Sequence, residues 1–199
     1  PHWFELPPDH ARWYPFYAKC VELDIPVQLQ VGQSLVYDRR APKRSVGRPI
    51  TLDAVACDFP ELKIVGIHVG IPWTDEMISM CWKHENVYTA GDAYAPKYWP
   101  EEYVHYANSY GKHKVMFGTD WPVIDPERAV KEVDELGFRD DAAVQVLDLG
   151  RFAALEGLLD AADMLTERAM TLKLAGVTPT CREIMELTGL SPKFRFFND

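Results

Sequence analysis

Four short apolar runs, each stopping at or beside glycine, constrain this chain more than any other feature. They are Ile25–Gly32, Lys63–Gly70, Asn86–Ala90 (followed by Gly91) and Lys114–Gly118. The second is an almost unbroken β-branched stretch. Continuous rather than alternating apolar runs mark strands covered on both faces, the condition of a parallel sheet. Helix signals fill the gaps. Thr51 is placed to cap a helix over Leu52–Phe59 that Pro60 closes, and Thr74 to cap one opening Asp75-Glu76-Met77-Ile78. Pro100 opens a third, running to Gly111, and Pro126 a fourth, through Leu136 to Gly137. Pro8–Leu23 also reads as helix, with Pro15 predicting a kink or a late start.

Strands alternating with helices at this spacing predict βα units around a parallel sheet. The fold class is therefore α/β: a partial TIM-like barrel of about four βα units, since a whole barrel takes about 250 residues. From residue 150 the pattern changes. Phe152–Leu174 is amphipathic and free of strand signals, and Pro179–Leu187 reads as a second helix. The expected organisation is a partial barrel over 1–149 and a helical C-terminal extension over 150–199.

Bulk properties narrow the function classes. The 199 residues are 47% hydrophobic, enough for a real core. A net charge of −9 argues against nucleic acid or an anionic membrane as partner. No apolar run approaches a membrane span, and the N-terminus lacks the basic start and apolar core of a signal peptide. The 4 cysteines form no CxxC pair, so reduced and mostly buried thiols are expected, in a cytoplasmic protein. Thr178–Ser191 resembles the opening of a helix-turn-helix, but only Lys193 and Arg195 lie where a basic recognition helix would begin. A helical packing or dimerisation tail is the better reading.

The C-terminal strand ends of a parallel barrel converge on one mouth, where active sites are built. Here those ends carry Gln30 and Gln33, His68, and Asp120. His and Asp delivered by different strands are the residue types that metal ligation or acid–base catalysis needs. The competing structural readings are a hydrogen-bonded core histidine for His68 and a turn cap for Asp120. Arg48 is a candidate for holding a substrate carboxylate, against a plain surface arginine. Trp73, Tyr94 and Trp121 are candidates for an aromatic pocket, against ordinary rim packing. His84, His105 and His113 fall on or beside surface helices and are assigned no role.

The segments DFPELKIVGIHVGIPWTDEM, ENVYTAGDAYAPKYWPEE and KVMFGTDWPV resemble the amidohydrolase-related family. So do PPDHARWYPFYAKCVELDIPVQLQVGQ and VGRPITLDAVACDFPEL, so that the resemblance spans residues 3–147. It implies a divalent metal at the barrel mouth, zinc first, held by an HxH pair on the first strand, a His on a middle strand and an Asp on the last. A further His acts as general acid–base. Asp120 matches the last-strand ligand and His68 the acid–base residue. Gln33 stands where relatives with a QVGH segment have their metal-binding His, and the HxH pair has no counterpart. A neutral Gln is a poor zinc ligand, so no tightly bound zinc is expected in this chain, with His2 or His10 the first suspects should one bind.

The resemblance thus implies a metal-dependent hydrolase or non-oxidative decarboxylase of a small carboxylate or cyclic substrate. The alternative is a non-catalytic remnant or interaction protein that keeps half of the barrel. Either reading expects a homo-oligomer or a missing N-terminal half to complete the fold.

Overall fold

The computed structural model describes residues 1–34, 41–120, 123–139 and 142, together with the strands at 173–175 and 195–197. The chain divides into two compact units, Pro1–Gly150 and Arg151–Asp199.

The first unit alternates helix and strand throughout. Helix α1 spans Tyr14–Glu22, β1 Val27–Gln30, α2 Leu52–Asp58 and β2 Ile64–Ile67. Then come α3 (Thr74–Lys83), β3 (Val87–Gly91), α4 (Glu101–Ala107), β4 (Val115–Phe117) and α5 (Pro126–Asp134). The four strands form one parallel sheet in the order β1-β2-β3-β4. This is the α/β partial barrel expected, half the strand number of a closed one. Pro15 sits in the first turn of α1, so that helix starts late, behind a 3₁₀ turn at Ala11–Trp13.

Register explains which side chains pack. Val27 pairs with Ile64 and Ile64 with Val87, all on one face. These, with Leu29 and Val115, form one buried cluster with Leu52, Val55, Met77, Met80, Tyr103, Tyr106 and Val133 of the helices. Full burial of each Leu, Ile, Val or Met stabilises by roughly 1.5–3 kcal/mol. Gly66 lets α3 lie close: a Cβ there would meet Met77 Sδ at 2.4 Å. The opposite face carries Gln28, Val65 and Tyr88 in one row, and Gln30 beside Ile67 and Ala90 beside Met116 in the next.

Three local expectations are corrected. Thr51 lies in a 3₁₀ turn and donates its hydroxyl to the Arg48 carbonyl at 2.6 Å instead of capping α2. Thr74 is inside α3, and its buried hydroxyl has no partner. In the second unit, β5 (Lys173–Ala175) pairs in parallel with β6 (Arg195–Phe197). Lys173 and Leu174 are therefore strand where helix was expected. The remainder of the helical reading beyond residue 150 lies outside the described residues, as do Cys181 and the helix-turn-helix-like segment. Cys20 and Cys81 are buried free thiols, whereas Cys57 is exposed.

Candidate functional site at the C-terminal sheet edge

Because the strands are parallel, their four C-terminal ends share one edge. Each leaves it through left-handed backbone. Gly32 follows β1 at φ 89°, His68 and Val69 follow β2 at 74° and 60°, Ala93 follows β3 at 58°, and Asp120 follows β4 at 52°. Only glycine takes such angles without steric cost, and a β-branched Val there is an outlier. Strain of this kind gathers at functional sites. Gly32 is also required by space: its Cβ would lie 2.4 Å from the Ile71 carbonyl oxygen in the loop after β2.

The centre of the edge is a His–Asp pair. The His68 backbone N–H donates to Asp92 Oδ1 at 2.5 Å, and His68 Nδ1 lies 3.3 Å from the same oxygen. The Nδ1 contact is close but falls outside hydrogen-bond geometry, which leaves that nitrogen buried without a full partner. Both side chains are only 12% exposed. A carboxylate on one ring nitrogen fixes the imidazole's orientation and favours proton transfer at the other. Among the described residues no group bonds His68 Nε2. Asp92 was not singled out from the sequence. Its position one residue past a strand end was the available signal.

Gln33 and Tyr94 also meet at this edge, the Gln33 amide donating to the Tyr94 hydroxyl at 3.3 Å. Asp120 lies on the same edge, exposed and two strands from His68. Trp121 lies outside the described residues. Arg48 and Trp73 come together, the guanidinium carbon 5.4 Å from the Trp73 ring. Arg48 is, however, paired with Glu76 at the start of α3, so its charge has an internal partner.

His2, named from the sequence only as a suspect ligand should a metal bind, also belongs to this edge. It is fully buried, and neither ring nitrogen has a hydrogen-bond partner. Its ring lies against Gly47, whose carbonyl accepts the Gly32 N–H at 2.8 Å; this places it at the end of β1. Burial holds its pKa below the ordinary imidazole value. The N-terminal charge and His68 push the same way, against a main-chain contact at Arg44 that falls short of hydrogen-bond geometry.

The divalent metal that the family resemblance implies needs donors that converge. Among the described residues, His, Cys, Asp and Glu donors within 4.8 Å of one another occur as a set of three at Asp53, Cys57 and His84. That set is not at this edge. His68, Asp92 and Asp120 do not converge, and Gln33 offers an amide. The edge as it stands does not fit a three-ligand metal. An open cleft of about 570 Å³ lies apart from it, beside α5, and is lined by charged side chains such as Arg128 and Glu132 that pair with each other.

A family model described as Amidohydrolase matches residues 1–156. Among solved structures, an uncharacterised TIM-barrel protein from Bordetella bronchiseptica is 28% identical with a TM-score of 0.63, covering 74% of this chain and 51% of its own. Dihydroorotase from Campylobacter jejuni is 16% identical with a TM-score of 0.50, covering 71% and 50%, and bears on the fold alone. A dihydroxybenzoic acid decarboxylase from Polaromonas sp. JS666, with bound manganese and an inhibitor, is 17% identical with a TM-score of 0.49, covering 69% and 52%; that likeness is too distant to place residues. No curated protein matches. The chain spans about half the length of the solved structures it resembles. Among the described residues, no helix is long and apolar enough to cross a membrane.

Proposed function

The chain belongs to the amidohydrolase family, and from that premise we propose that its sheet edge is the acid–base half of a site for a small carboxylate or cyclic substrate. The reaction is hydrolysis or non-oxidative decarboxylation. The observation that carries this reading is the His68–Asp92 pair on a strained strand end. In decarboxylation the substrate's C–C bond breaks, carbon dioxide leaves, and His68 delivers a proton to the carbon left behind. In hydrolysis His68 takes a proton from the attacking water and passes it to the leaving group. Asp92 positions the ring, while Gln33 and Tyr94 line the approach. The family resemblance implies a divalent cation at the mouth; the donors present here do not make that set, and no step above depends on it.

The test is His68→Asn, assayed on small aromatic and cyclic carboxylates for carbon dioxide release and for ring opening. Loss of about 100-fold or more in kcat is the expected result. Equal turnover by the variant overturns the assignment. The failure of donors to converge favours a second reading, a non-catalytic half-barrel. That reading predicts no turnover by the parent chain on any of these compounds, with manganese or zinc supplied.

A further inference from the structure

We propose that Asp53, Cys57 and His84 form a site for a zinc-like divalent ion that clips α2 to the end of α3, apart from the sheet edge described above. Asp53 and Cys57 stand four residues apart on α2 and so share one helix face. His84 closes α3 and precedes β3, which puts the cluster at the N-terminal ends of the strands, opposite His68. The three ligand atoms all lie within 4.8 Å of one another. Tetrahedral zinc with bonds of about 2.0–2.3 Å sets its ligands roughly 3.3–3.8 Å apart. Closing the remainder takes side-chain rotation alone, on a surface where Cys57 is free and exposed.

The donor set also has the right chemistry. Thiolate with imidazole selects zinc, cobalt or cadmium over magnesium or calcium, and a single carboxylate completes three ligands with a fourth position for water. His84 is already oriented: its Nε2 lies 2.7 Å from Asp53 Oδ1, and its side chain is 10% exposed. Lys83 Nζ lies 2.5 Å from the same oxygen. That ammonium is the obvious competitor for the carboxylate. It is 54% exposed on a flexible stem, and surface pairs of this kind are weakly held, so a dication displaces it readily. An ion here ties two neighbouring helices together at the face of the barrel that serves stability.

The test strips the purified chain with chelator and titrates it with cobalt(II). One equivalent should bind with a thiolate-to-cobalt charge-transfer band, and zinc should raise the Tm. Cys57→Ser, an exposed change that does not threaten the fold, should abolish the band and weaken binding at least tenfold; Asp53→Asn should weaken binding with the band kept. His68→Asn should leave both unchanged, which separates this site from the sheet edge. No charge-transfer band in the parent chain, or a band that survives Cys57→Ser, overturns the proposal.

Discussion

Asp92 does two jobs for His68, and two substitutions separate them. Its Oδ1 accepts the His68 backbone N–H, which holds the left-handed turn after β2, and it lies beside Nδ1. Asp92→Asn keeps an acceptor but removes the charge. We expect it to lower kcat, with little change in Tm. Asp92→Ala leaves a buried N–H unsatisfied and should cost about 1–3 kcal/mol in urea unfolding. Equal Tm loss in both variants would mean that the charge, not the acceptor, holds the turn. His2 gives a pH prediction. Its folded pKa lies below the ordinary 6.5, so the unfolded chain takes up that proton first. Stability is then full above about pH 6.5 and falls as acid carries the solution down toward the folded value. His2→Gln should flatten that fall between about pH 7 and 5 in thermal melts; an unchanged slope would remove His2 from the account. At this scale the sequence placed His68 and Asp120 on the edge through their strand-end positions. It did not show the burial of His2 against Gly47, far off in the chain, or the pairing of Arg48 with Glu76, which joins the turn before α2 to the first turn of α3.

Lys114 shows what holds the elements in order. It precedes β4, and its ammonium donates to the carbonyls of His84, Glu85 and Val87 while lying 4.6 Å over the Tyr88 ring. It therefore binds the turn between α3 and β3 to the start of the neighbouring strand. Lys114→Met keeps the stem and removes the donor, leaving three carbonyls with less satisfaction. A loss of about 2 kcal/mol in unfolding free energy is expected, and a loss near zero would show that water replaces the ammonium. The four strands were legible because burial on both faces writes continuous apolar runs such as Ile64-Val65-Gly66-Ile67. Helix starts were less so. Asp125 does cap α5, accepting the Arg128 N–H at 2.9 Å, yet Thr51 and Thr74, of equally good residue type, do not cap theirs. Capping needs extended backbone just outside the helix; Thr51 stands at that position of α2, but the preceding 3₁₀ turn gives it helical angles and its hydroxyl bonds back to the Arg48 carbonyl. Strand β5 was hidden because Lys173-Leu174-Ala175 is as good a helix segment as a strand, and pairing with distant β6 decides it.

Among the described residues, the four-stranded sheet has β1 and β4 as its edges, and the helices pack their buried side chains on the face of Val27, Ile64 and Val87. The opposite face carries Val65 and Ala90, which are buried, and Ile67, Tyr88 and Met116, which are half-buried, with Gln28 and Gln30 on the edge strand. In a closed barrel these positions point into a packed interior. Edge strands left open present unpaired N–H and C=O groups that invite another chain. Covering even 1,000 Å² of apolar surface would be worth roughly 25 kcal/mol before entropy is subtracted, more than the ~5–15 kcal/mol net stability of an ordinary domain. We therefore expect this chain to associate with a second copy through the sheet, and sedimentation velocity at micromolar concentration should find a dimer. Met116→Lys places a charge on the inner face of edge strand β4, away from the helix-side core. It should dissociate the dimer and lower the Tm in a concentration-dependent way. A parent chain that sediments as a monomer and unfolds in one cooperative transition, at a Tm independent of concentration, would show that the inner face needs no second copy.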